Sequence, residues 1–223
     1  DIPEQLQDKI SHYTLRSVTL LKQSSSDLKF EIFERLNTGS EPLNDQELRN
    51  CVYRGPYNRL LKELAADSDF RSLLGLKDAD KRMKDAEWVL RFAAFFHATY
   101  LKYQPPMKRF FNQDMEKHQN ISDADASSLR AAFKNSISII KSLFGTDHAF
   151  KRFYGGDEQN PSGRWEPKKF NASLYDVLMG VFHDKDKNQV YAALASLRAA
   201  IVDLMATNRQ FNDAIQLSPS SIE

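Results

Sequence analysis

From Asp27 onward the apolar residues fall three and four positions apart, in blocks separated by short polar breaks. That spacing restricts most of the chain to packed amphipathic helices. Leu28, Ile32, Phe33 and Leu36 share one face of a first helix, which Ser26 or Asp27 can cap and Asn37-Thr38-Gly39 can stop. Pro42-Leu43-Asn44 leads into a second, where Asn44 and Glu47 have the spacing of a capping box. It runs to about Arg54, and Gly55-Pro56 ends it. Further helices are expected at 57–65, 85–103, 107–117, 123–144, 171–182 and 187–207, with Pro105-Pro106 closing the one that carries Trp88, Phe92, Phe95 and Phe96. Residues 154–169 hold Gly155-Gly156, Pro161, Gly163 and Pro167 and read as a surface loop.

Ahead of this series, 2–10 reads as a short helix with Pro3 in its first turn. Residues 13–21, Tyr-Thr-Leu-Arg-Ser-Val-Thr-Leu-Leu, alternate in the manner of a strand. A lone strand cannot satisfy its own backbone, so its partner must come from elsewhere. The expected fold is mainly α: a multi-helix domain with one or few short N-terminal β-strands.

The chain of 223 residues carries 31 lysines and arginines against 30 aspartates and glutamates, so any attraction to nucleic acid must come from a local patch rather than from net charge. Cys51 is the single cysteine, which rules out an internal disulfide and fits a reducing, cytoplasmic setting. No apolar run approaches the roughly 18 residues that a bilayer span needs, so no membrane partner is expected. The opening Asp1-Ile2-Pro3-Glu4 is neither a signal peptide nor an initiator methionine, and a longer parent protein is expected.

The most specific stretch is Phe30 to Gly55, FEIFERLNTGSEPLNDQELRNCVYRG. Phe33, Leu36, Asn37, Thr38, Gly39, Pro42, Leu43, Gln46, Glu47, Leu48, Arg49 and Asn50 match an amphipathic helix ending in Asn-Thr-Gly, a Pro-Leu turn and a helix continuing through Glu-Leu-Arg-Asn. In this the chain resembles the GmrSD-type restriction-endonuclease N-terminal domain family, with Ser40 in place of the usual second glycine. The preceding strand, Met107 to Asn112 and Phe170-Asn171-Ala172 match more loosely. The resemblance implies the back half of a ParB-like α+β domain from phage-defence proteins that handle nucleotides and help to cut modified or foreign DNA. With that goes the implied division into 1–55 and a helical extension over 56–223. It implies a nucleoside triphosphate with magnesium in the whole protein, and DNA, the upstream segment or a nuclease domain as partners. Neither the Asp-Gly-Gln-Gln-Arg motif nor the His-Asn-His motif of such proteins occurs in this sequence, so no catalytic residue is assigned and no cofactor is expected for this segment alone.

Candidate nucleotide- or phosphate-binding residues are Arg35, Asn37, Thr38, Gly39, Arg49 and Asn50. A short polar elbow leaves backbone N–H groups uncovered beside a helix N-terminus, and the arginines can add charge-assisted hydrogen bonds. The same residues also make a good helix stop and start, so a purely structural elbow is the competing reading. Basic and aromatic residues alternate at 102–111 and 164–170, and Arg164, Trp165, Lys168 and Lys169 are the candidate DNA contacts. Snorkelling side chains at a helix end and a solvated loop are the favoured explanation of these clusters. A helical protein-interaction or DNA-binding module without catalysis is thus the alternative function.

No two of the five histidines stand three or four residues apart and no cysteine lies near one, so no zinc site is expected. His97 reads as a hydrogen-bonded helix residue. His183-Asp184-x-Asp186 reads as a polar helix end, and Cys51, with no histidine near it, as a structural thiol.

Overall fold

In the computed structural model, which describes residues 2–14, 17, 19, 26–36, 42–156 and 159–216, the chain is mainly helical. Among the described residues the order is α1 (Glu4–Ser11), α2 (Ser26–Leu36), α3 (Asp45–Val52), α4 (Pro56–Ala65), α5 (Ser68–Leu73), α6 (Lys84–His97), a 3-10 turn (Tyr100–Lys102), α7 (Met107–Lys117) and α8 (Asp123–His148). A hairpin of β1 (Phe153–Tyr154) and β2 (Arg164–Trp165) follows, then α9 (Ala172–Phe182), α10 (Lys187–Ala192), α11 (Leu194–Thr207) and α12 (Arg209–Gln216).

Side-chain caps fix where several helices begin. The Asn44 Oδ1 accepts from the backbone of Gln46 and Glu47 at 2.9 Å each, and the Glu47 carboxylate accepts from the Asn44 N–H at 2.7 Å. Three N–H donors that the helix cannot pair internally are thereby satisfied. Asp67, Ser122, Asn171 and Asp186 cap α5, α8, α9 and α10 by accepting from first-turn backbone N–H groups, without the reciprocal bond. Asn44 also donates to the Arg82 carbonyl at 2.7 Å, which ties α3 to the turn before α6. Asn44→Ala is therefore expected to cost about 1–2 kcal/mol in urea unfolding. A loss within the roughly 0.5 kcal/mol of an ordinary surface substitution would contradict this role.

The core is built around α6 and α8. Val89, Leu90, Phe92 and Ala93 of α6 meet Leu129, Phe133, Ile137 and Ile140 of α8, with Tyr57, Leu61 and Leu64 of α4 and Tyr175 and Met179 of α9 completing the cluster. Phe133 lies edge-on to both Phe70 and Phe92, at centroid distances of 5.1 and 5.6 Å. Phe30, Leu48 and Tyr53 belong to the same cluster, so the core runs without a break across the position of Gly55. Gly55 sits where a Cβ would come within 2.6 Å of the Gln119 carbonyl oxygen, which leaves room for glycine only. A smaller cluster of Leu174, Met205 and Ile215, flanked by Phe153, Trp165 and Phe211, seats the hairpin, α11 and α12 on α9.

Among the described residues two arginines are buried, and each is answered by a carboxylate on another helix. Arg49 of α3 donates to Asn112 at 2.9 Å, Glu87 at 3.1 Å and Gln46 at 3.2 Å. Arg91 of α6 grips Asp176 of α9 through two parallel bonds of 2.6 Å.

The mainly α expectation holds, with local corrections. The helix expected at 85–103 ends at His97, where Ala98 turns extended. The helix expected at 187–207 breaks at Ala193, and the one expected at 123–144 continues to His148 through a non-helical Gly145. Among the described residues the two strands fall at the edge of and within the stretch expected to be loop, where none was expected. They fit there because Gly163, at φ 75°, lets the chain turn against Phe153, where any Cβ would clash. Most of the strand expected at 13–21 lies outside the described residues, and Tyr13, Thr14, Ser17 and Thr19 are not in a strand. No helix among the described residues is long and apolar enough to cross a membrane.

Candidate functional site

Beside the hairpin, the first turn of α6, the approach to α9 and the end of α12 enclose a cleft of about 470 Å³. Lys84, Arg152 and Lys169 bring cations to it, and Trp88, Tyr154 and Phe170 bring aromatic rings. The rings are held from behind. Trp88 and Phe170 pack at a centroid distance of 4.4 Å, and Trp88 and Tyr175 at 4.8 Å. Tyr175 in turn donates its hydroxyl to the Trp88 carbonyl at 2.7 Å.

Arg152 is the most informative residue of the cleft. Its Nη2 donates to the Asn212 Oδ1 at 3.0 Å, and Gln216, with its amide oxygen turned toward the guanidinium, accepts from both terminal nitrogens at 2.8 Å. Its Nε is buried with no partner. Among the described residues, then, only neutral amides oriented by α12 accept hydrogen bonds from this guanidinium, whose charge no carboxylate cancels. The guanidinium also lies 4.8 Å from the Tyr154 ring centroid, where the ring face is attractive to a cation. Glu166 lines the same cleft and accepts from the Tyr154 hydroxyl at 3.2 Å. Burial pushes its pKa up, but the N–H groups of Lys169 and Lys168 and the Tyr154 hydroxyl outweigh burial and leave it below the ordinary glutamate value. An anion in the cleft would thus bind toward Arg152, Lys84 and Lys169 and away from Glu166.

The DNA-contact candidates divide between this cleft and the surface. Lys169 lines the cleft, while Arg164 and Lys168 are exposed. Trp165 turns inward, stacked on His148 at 4.4 Å and edge-on to Phe144 and Phe153. It therefore props the hairpin on the bundle. The three described nucleotide-binding candidates, Arg35, Arg49 and Asn50, have separate partners. Arg35 is exposed and pairs with Glu31 at 2.5 Å. Arg49 is 1% exposed and faces inward, and Asn50 accepts from Asn58 at 3.0 Å. Asn37, Thr38 and Gly39 lie outside the described residues. Arg152 lies outside both basic-aromatic runs noted in the sequence, and nothing there singled it out.

A second group of polar side chains gathers where α4, α6 and α7 meet. His97, the last residue of α6, places its Nδ1 2.9 Å from the Asp114 Oδ1, and His118, just past α7, places its Nδ1 3.0 Å from the same oxygen. The Tyr57 hydroxyl of α4 donates to the other oxygen, Oδ2. The two imidazoles lie almost face to face, with centroids 3.8 Å apart and planes at 34°. Burial pushes the Asp114 pKa up, and the hydrogen bonds from His118, His97 and Tyr57 overcome it, so the group ends below the ordinary aspartate value. Burial beside this carboxylate drives the Tyr57 hydroxyl well above the usual tyrosine range. His183 and Asp186 play the expected helix-end parts, His183 bonding to the Gly180 carbonyl oxygen and Asp186 capping α10. Cys51 is half-buried.

No family model matches this chain, and neither a curated protein nor a solved structure matches it significantly.

Proposed function

We propose that the chain is the helical part of a GmrSD-like defence protein and that it contributes a nucleotide- or DNA-phosphate-binding cleft. The resemblance over Phe30 to Gly55 supplies the class of protein. The observation that carries the assignment is Arg152, a guanidinium held by neutral amides in a cleft walled by Trp88, Tyr154 and Phe170. A cleft of a few hundred Å³ is the size that encloses a small ligand. Phosphate oxygens would take the charge-assisted bonds of Arg152, Lys84 and Lys169, and a base would stack on the aromatic wall. In this reading the elbow at 37–41 serves the upstream half of the domain, and the chain itself performs no chemistry on the phosphates.

The test is calorimetric titration of the chain with adenosine and guanosine triphosphates and with a short single-stranded DNA. Arg152→Ala should weaken the preferred ligand roughly 10–100-fold, the loss of a hydrogen bond to a charged group being about 1.5–3 kcal/mol. Asn37→Ala should leave that affinity unchanged. The reverse result would move the site to the elbow, and no binding by the unaltered chain would remove the assignment.

A further inference from the structure

We propose that His97, Asp114 and His118 form a binding site for a divalent transition-metal ion of the zinc class. Each of the three side chains offers one ligand atom, and these atoms lie within 4.8 Å of one another. The two closest separations, 2.9 and 3.0 Å, both converge on the Asp114 Oδ1. A four-coordinate ion with bonds of roughly 2.0–2.1 Å spaces its ligands about 3.3 Å apart, so little movement is needed to admit one. Two imidazole nitrogens and one carboxylate oxygen are a donor set for zinc, iron, cobalt or nickel, and a poor one for magnesium or calcium.

The surroundings are those of a ligand set held in advance. Tyr57 occupies the second Asp114 oxygen from α4 and so fixes which oxygen faces the imidazoles, the office that outer hydrogen bonds perform at metal sites. Protein groups alone leave the cluster unfinished. Both Nδ1 atoms compete for one carboxylate oxygen, and the His97 side chain that brings one of them is only 10% exposed. His118 is 20% exposed, which gives an ion a way in from solvent and leaves room for water as a further ligand. A purely hydrogen-bonded cluster accounts for the carboxylate. It does not account for two rings brought nearly face to face with their Nδ1 atoms turned to a single oxygen.

The experiment uses the chain without a polyhistidine tag. Zinc titration by calorimetry should give one equivalent bound, cobalt should develop a visible absorption spectrum, and magnesium should do neither. His118→Gln and Asp114→Asn should each weaken zinc at least ~10–100-fold, and Tyr57→Phe about tenfold. His183→Gln, a change at a histidine outside the cluster, should leave binding as it was. Failure of the unaltered chain to bind either zinc or cobalt overturns the site, as does equal binding by His118→Gln. Should Asp114→Asn not fold, the cobalt spectrum of the unaltered chain and its loss in His118→Gln decide the matter.

Discussion

Asp176→Ala should lower the stability of the chain by about 3–5 kcal/mol, because it strands a charge that has nowhere to go. Arg91 is 0% exposed, and both of its bonds to Asp176 are 2.6 Å long. Its remaining terminal nitrogen already lacks a partner, so no neighbour stands ready to take over. The converse change is milder. Asp176 is 23% exposed, and burial already raises its pKa despite the opposing charge and hydrogen bonds of Arg91. Without Arg91 it can be hydrated or take a proton. Arg91→Met should accordingly cost distinctly less than Asp176→Ala, since it removes the buried charge itself and fills much of the space. In thermal unfolding the Asp176→Ala loss corresponds to a drop of roughly 10 °C for a chain of this size. Equal losses for the two variants would mean that the pair acts through packing and that charge burial is not the cause.

Arg49→Ala should be comparably severe, at about 3–5 kcal/mol, and the loss should appear with no ligand present. The guanidinium joins Gln46 on its own helix to Glu87 of α6 and Asn112 of α7, lies 3.7 Å from Asp45, and rests 5.2 Å from the Phe111 ring centroid. Its removal leaves Glu87, whose side chain is 11% exposed, as a carboxylate without its cation. Arg49→Lys should recover only part of the stability, because an ammonium cannot reproduce the fork that meets three partners together. The resemblance places Arg49 among nucleotide-binding candidates, and the two roles predict different measurements. A structural anchor shows itself in denaturant unfolding. A ligand contact shows itself in affinity at unchanged stability, and that result would reassign the residue.

Much of the helical plan was legible because it rests on local chemistry. Asn44 with Glu47 announced the start of α3, and Met107 to Lys117 was delimited at both ends by a diproline and a polar break. The failures occur where tertiary contacts decide. Nothing between Tyr191 and Leu194 is a helix breaker, yet the chain turns at Ala193 to lay α11 beside the hairpin. The strands are two residues each, too short for alternation to register, and one glycine makes them possible. The short helices α5 and α12 were missed, although Asp67 is an ordinary cap for the first. The imidazole cluster was the least legible feature. A search for paired histidines passes over it because His97 and His118 sit on different helices, and the usable signal was Asp114 and His118 four residues apart. The cleft around Arg152 draws on α6, the hairpin, α9 and α12, which only the finished fold brings together.

Glu87 and Arg91 stand one turn apart on the same helix, yet neither answers the other: the acid reaches back to α3 and the base reaches out to α9. Four residues of helix span about 6 Å, so sliding α6 by a turn would set Glu87 against Asp176 in one direction, or Arg91 against Arg49 in the other. A hydrophobic seam alone would tolerate such a slip, since one apolar side chain greets another much as well. With two oppositely signed contacts the bundle has a keyed axle, and its angular and lengthwise setting is written in the order of the charges.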